Sequence, residues 1–213
     1  MARRPEKQTR DAEATKAAFV RAGEIVFAEN GFDGATLDRL AEEAGANKAL
    51  VSYYFGSKEG LYVAVIASMI SDVVAAVANE LGGDGDPVKK FQRYIRVLTR
   101  EIGARPTFPA ILFREYIGGS MQEREESFLQ VVQLFRMTHA LYMAGRKAKA
   151  FRKVDPHLLH LSIVGPIIHF VVAARARAKT IHLLKGEVKD ADIAAFARHH
   201  EKLILAGISQ SER

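Results

Sequence analysis

Residues 27–62 read FAENGFDGATLDRLAEEAGANKALVSYYFGSKEGLY, and the reading of this run decides the fold at the start of the chain. Thr36 has the chemistry of a helix N-cap, and Leu37, Leu40, Ala41 and Ala44 follow it at helical spacing. Gly45 stops that helix. A second short helix is predicted from about Asn47 to Tyr54, then an aromatic knot, Tyr53-Tyr54-Phe55, and a new start at Ser57-Lys58. Two short helices joined by a glycine turn of three or four residues make a helix-turn-helix, whose second helix can lie in the major groove of DNA.

Upstream, a helix is predicted from about Asp11 to Glu29, with Phe19, Ala22, Val26 and Phe27 on one face and Asn30-Gly31 as its end. The first ten residues hold Arg3, Arg4, Lys7 and Arg10 against Glu6 alone, and are expected to form a flexible basic arm for phosphates or a minor groove. If Val51 and Phe55 face the core, Asn47, Lys48, Ser52 and Tyr53 are left on the outer side of the second short helix. Such side chains hydrogen-bond to base edges or phosphates. Two helices merely packed in a bundle would not need an exposed tyrosine there. Lys58, in the first turn of the next helix, opposes the helix dipole. That placement is expected to serve a phosphate held jointly by Lys58 and the helix N-terminus.

Phe27, Glu29, Gly31 and Phe32, then Thr36, then Tyr53-Tyr54-Phe55, then Ser57-Lys58-Glu59 resemble the N-terminal domain of the TetR family of bacterial transcriptional regulators over about residues 10–70. The resemblance implies that Thr36, Tyr54 and Lys58 contact backbone phosphates. It also implies that Asn47, Lys48, Ala49 and Ser52 face bases, with Tyr53 at the groove edge. Ala49 stands where glycine is frequent and Ser52 where tyrosine is frequent, so the operator sequence does not carry over from a relative.

Beyond residue 58 the signals remain helical. Ser57 caps a long helix reaching Leu81, which links the two parts of the chain, and the stretch Gly-Gly-Asp-Gly-Asp-Pro87 is the clearest break in composition. Asp86-Pro87 and Asp155-Pro156 each pair an N-cap with proline at the first helical position. Helices are expected at 88–103, 109–118, about 121–149, 156 to about 179, and 190–205. The expectation is an all-α chain of about nine helices. Its first domain, 1–58, is a basic arm and a three-helix DNA-binding domain; its second, 59–213, is a larger effector-binding and dimerisation domain.

Residues 158–174 are apolar around nearly the whole helix, so two sides need cover. Leu158, Leu161, Ile168 and Val172, with Ile193, Phe196, Leu203 and Ile204 on the last helix, are the expected dimer interface. A four-helix interface of this kind is what the resemblance implies. The resemblance likewise places Phe91, Tyr94, Phe113, Tyr116, Phe135, His139, Tyr142 and His169 on helices around a ligand pocket. Most aromatics at this spacing are core. His139, Tyr142 and His169 stand out because a buried polar tip needs a partner, and Pro166 is expected to kink its helix and open a cavity.

The formal net charge of +6 is misleading as a sign of nucleic-acid binding. Residues 1–58 carry nine Lys or Arg and nine Asp or Glu, whereas residues 141–213 carry thirteen and six, so the excess lies away from the reading helix. The chain has no cysteine, which excludes disulfides and thiolate sites. His157 and His160 share a face without a carboxylate at matching spacing, so neither a metal nor a cofactor is expected. Residues 61–78 and 158–174 are both expected to fall short of a membrane span. The N-terminus lacks the apolar core of a signal peptide, and the protein is expected to be cytoplasmic. No nucleophile–base pair or phosphate loop suggests an enzyme. The sequence therefore predicts a homodimeric regulator, a repressor released from a palindromic DNA operator by a small molecule. The alternative is an effector-free DNA-binding or architectural protein governed by a protein partner.

Overall fold

The computed structural model describes residues 4–83, 85–118, 125–185 and 189–210. These form ten helices: α1 (Arg4–Gly34), α2 (Leu37–Ala44), α3 (Ala49–Phe55), α4 (Lys58–Leu81), α5 (Pro87–Gly103), α6 (Thr107–Gly118), α7 (Glu125–Lys147), α8 (Pro156–Val172), α9 (Ala174–Leu183) and α10 (Ile193–Ile208). The all-α fold with an N-terminal helix-turn-helix is as the sequence predicts. α1 runs on to Gly34 past a break at Gly31 (φ 71), where its end was expected, and α10 starts and ends three residues later than expected; two differences are larger. The expected arm is helical from Arg4 onward, because Pro5 sits in the first turn, where a missing N–H is harmless, and good helix formers follow. The helix expected to run to residue 179 is two, α8 and α9, bent by 69°. The chain passes helically through Pro166 and turns at Ala173, where the Phe170 carbonyl accepts a hydrogen bond from Arg177 Nη1 (2.6 Å).

The helices pack as two compact units, residues 1–69 with 110–130 and residues 70–109 with 131–213. The boundary expected at residue 58 thus falls inside the first unit, since the first half of α4 belongs to the core beside α1. That core contains Phe19, Val26, Phe27, Leu40, Val51, Leu61, Tyr62 and Val65, all buried. Phe27 meets Tyr62 edge-on at 4.9 Å and Phe19 meets Phe55 at 6.3 Å. Gly45 ends α2 in the left-handed region (φ 62), the conformation a non-glycine residue adopts at a cost. Gly60 is needed for another reason: a Cβ there would lie 2.0 Å from the Phe55 carbonyl oxygen.

α4 corrects one reading. With 24 residues it is long and apolar enough, by length and composition, to cross a membrane. Its buried stripe of Leu61, Val65, Met69, Val73 and Val77 is that of a core helix.

In the second unit α5 packs on α8 and α10. Phe91, Ile95 and Leu98 of α5 and Ile163 and Ile167 of α8 are buried. Arg96 grips buried Glu201 of α10 through Nε and Nη2, the latter at 3.0 Å from Oε1. The same unit holds a buried polar chain. Tyr94 Oη and Thr138 Oγ1 are 2.6 Å apart, and Thr138 Oγ1 lies 2.9 Å from His160 Nδ1. Burial, then repulsion from His157, lowers the His160 pKa from 6.5 to about 4. A histidine whose folded pKa is depressed stays neutral in the fold while the unfolded chain takes up a proton, so stability is intact above pH 6.5 and falls towards pH 4. His160→Gln is expected to flatten the decline of the urea midpoint between these pH values. An unchanged slope would show that His160 is not its source.

Candidate nucleic-acid interface

α3 turns one face outward because its seven residues are anchored by Val51, which is fully buried. Asn47, Lys48, Ala49, Ser52 and Tyr53 are exposed, Tyr53 by 78%. A tyrosine open to this degree on a short helix forgoes burial that its ring would ordinarily seek. The helix starts where Asn47 Oδ1 accepts the Ala49 N–H (2.9 Å), so Asn47 caps the helix with its oxygen and keeps its amide NH2 for other partners. Lys48 pairs with Asp38 of α2 at 2.7 Å, with both side chains mostly exposed. An ion pair so solvated is worth little and yields readily to a phosphate.

Around α3 stand the expected phosphate residues. Thr36 caps α2, its Oγ1 accepting from the Arg39 N–H (3.2 Å). Half-buried Tyr54 leans edge-on against Tyr53 (4.9 Å), and the Lys16 ammonium lies 5.7 Å from the Tyr54 ring. Lys16 was not anticipated: it lies a helix away from the motif, and only folding brings it to Tyr54. Arg3 lies outside the described residues, as does the side chain of Arg4.

Lys58 differs from expectation. Its ammonium donates to the Phe32 and Ala35 carbonyls (2.9 and 3.0 Å) and sits 4.4 Å from the centre of the Phe32 ring. A cation at the start of α4 therefore has a structural reason the sequence did not reveal: it ties α4 to one carbonyl in the last turn of α1 and one between α1 and α2. Arg114 of α6 does the same nearby, donating from Nη2 to the Glu29 carbonyl (2.8 Å). Lys58→Ala is expected to lower the unfolding free energy by about 2 kcal/mol, for the loss of two charge-assisted bonds. Chemical denaturation tests this, and a variant as stable as the parent would deny Lys58 the structural role.

The expected pocket residues differ in their surroundings. Phe91 and Tyr94 are fully buried, and Phe91 packs on Phe151 at 5.2 Å. The Tyr142 hydroxyl has its partners in the backbone, accepting from the Val154 N–H (2.9 Å) and lying 3.1 Å from the Arg152 carbonyl. Phe135 is half-buried against His139, His157 and His160. His139 and His169 are exposed, so neither is the buried polar anchor the sequence suggested. Phe113 is 40% exposed and belongs to the first unit, while the Tyr116 side chain lies outside the described residues. Phe91 and Tyr142 both pack on the Phe151 ring.

The expected dimer residues divide. Leu158, Leu161, Val172 and Leu203 are 62%, 51%, 39% and 59% exposed. Ile168 is buried in its own unit, Phe196 stacks on Phe170 at 4.2 Å, Ile193 lies against Gly103, and Ile204 is half-buried.

Comparison with known proteins bears on this interface. Residues 19–65 match the sequence profile described as "Bacterial regulatory proteins, tetR family". The HTH-type transcriptional regulator RutR of Escherichia coli (strain K12) is 28% identical over 183 residues, 85% of this chain and 86% of RutR. The HTH-type transcriptional repressor SCO4008 of Streptomyces coelicolor is 43% identical over 68 residues, 32% of this chain and 35% of its own. Among solved structures, the transcriptional regulator FadR from Bacillus subtilis in complex with stearoyl-CoA superposes with a TM-score of 0.74 at 14% identity, covering 90% of this chain and 98% of FadR. At that identity the likeness is one of fold alone.

Proposed function

Because this chain belongs to the tetR family of bacterial regulatory proteins, whose members regulate transcription through a DNA-binding helix-turn-helix, we propose that it is a ligand-responsive repressor acting as a homodimer on a palindromic operator in the cytoplasm. The observation that carries this is the exposed face of α3, with Tyr53, Asn47, Lys48 and Ser52 presented above buried Val51. In this reading Asn47, Lys48, Ala49 and Ser52 meet base edges, and Tyr53 sits at the groove edge. Thr36, Tyr54, Arg3, Arg4 and the free proton of Lys58 meet phosphates. Residues 1–58 read DNA, and residues 59–213 bind the effector and pair the chains.

The exposed leucines of α8 and α10 support the dimer, since a two-fold pair matches two half-sites one helical turn apart. The FadR complex shows that a chain of this fold can hold a small molecule. An effector acts here only if it binds the DNA-incompetent state more tightly. A second reading, an effector-free regulator answering to a protein partner, is favoured by the filled aromatic cluster around Phe91 and Tyr142. Sequencing genomic fragments enriched by the purified protein, then challenging the complex with a metabolite and drug panel, tests both. A recovered palindrome released by a compound is the expected result. Recovery without release by any compound favours the second reading, and enrichment of no sequence overturns both.

A further inference from the structure

An open cleft of about 530 Å³ lies in the second unit, bounded by the end of α5, the α8–α9 bend and the segment leading into α10. Its volume is that of a small-molecule site. Pro106, Phe170, Val171 and Ile193 supply apolar walls. On one side Arg177 is held in place. Nε donates to Asp190 Oδ1 (2.8 Å), Nη1 donates to the Phe170 carbonyl (2.6 Å), and the guanidinium lies 3.8 Å from the Phe170 ring centre. That ring in turn stacks on Phe196 at 4.2 Å. A guanidinium fixed by three contacts loses little further freedom when a ligand arrives. Its Nη2 has no partner among the described residues, and neither has the second carboxylate oxygen of Asp190.

Charge decides what the cleft takes. The positive charge of Arg177 is met by Asp190. Asp192, also in the wall, accepts the Ala195 N–H (2.6 Å) at the start of α10, where the helix dipole favours it. An anion would face two carboxylates, and a cation would face Arg177. We propose that this cleft binds an uncharged amphipathic molecule with a hydrogen-bond acceptor beside a donor, as in a carboxamide. The acceptor takes Arg177 Nη2, the donor goes to Asp190, and the apolar body lies along Phe170, Val171 and Ile193. This names the effector site of the regulator proposed above and rests on that reading.

Benzamide, benzoate and benzamidine share one shape and differ in charge, so they test the site directly. Each is titrated into the full chain, without DNA, by ligand-observed NMR. Benzamide is expected to bind at least about tenfold more tightly than either charged probe, a difference of about 1.4 kcal/mol. Arg177→Gln should remove that preference, and Ala191→Phe, which projects a ring from the cleft wall, should weaken benzamide at least about tenfold. Equal binding of the three probes, no binding at about 10 mM, or benzamide binding untouched by Ala191→Phe would overturn the proposal. The regulator reading fails on a different result, the absence of any enriched DNA sequence in the ligand-free selection.

Discussion

Leu161→Glu combined with Leu203→Glu is expected to leave a folded monomer that has lost operator binding. In the single chain Leu161 and Leu203 are 51% and 59% exposed, so each carboxylate would be solvated and the protomer would keep its stability. In a dimer that buries the α8 and α10 faces, four carboxylates would enter an apolar interface without partners, at several kcal/mol each. Gly165, between the exposed leucines of α8 and Val172, has open space where a Cβ would be, which lets a second helix approach closely. Phe196 is the poorer probe, because its stacking on Phe170 makes its loss a folding defect. Sedimentation should show the parent as a dimer and the variant as a monomer. Anisotropy with a palindromic duplex should show at least about a hundredfold weaker binding, the avidity of the second half-site. A monomeric variant binding the palindrome with parental affinity would end the two-fold model.

Asn47→Asp is expected to weaken operator binding by about 1–3 kcal/mol while leaving stability unchanged. The substitution keeps the oxygen that accepts the Ala49 N–H, so α3 retains its cap. It removes the amide donors and adds a negative charge on the face proposed to meet DNA. Asn47→Ala is less informative, since it loses the cap as well and mixes stability with recognition. Equal unfolding midpoints with a fall in affinity that differs between operator variants would assign Asn47 to base reading. Undiminished affinity would remove Asn47 from the interface.

Much of the reading domain was legible in the chain because its signals are local. A cap at Thr36, a left-handed stop at Gly45 and apolar residues three and four apart fix α2 and expose one face of α3, and all of them act within a turn or two. The same locality explains Asp86-Pro87 and Asp155-Pro156, which open α5 and α8 where expected. The start of α1 was missed although it too is local: Arg4, counted as part of a basic arm, begins a run of good helix formers.

The sequence by itself determined most of the helices, their order, and the face of α3 that stays outside, but not the start of α1 or the break between α8 and α9. Tertiary structure alone decided what each charged or polar side chain does. Lys58 looks like a phosphate ligand by position, yet its ammonium closes on two carbonyls more than twenty residues earlier in the chain. The family resemblance makes Tyr142 and His139 pocket residues, yet the hydroxyl of one is bonded to the backbone after α7 and the other faces solvent. Arg177 and Asp190, thirteen residues apart and unremarked in the sequence, meet in an ion pair at 2.8 Å. The reason is range: caps and apolar periodicity are set by neighbours within a turn or two, whereas the partner of a long polar side chain is fixed only once distant segments have packed.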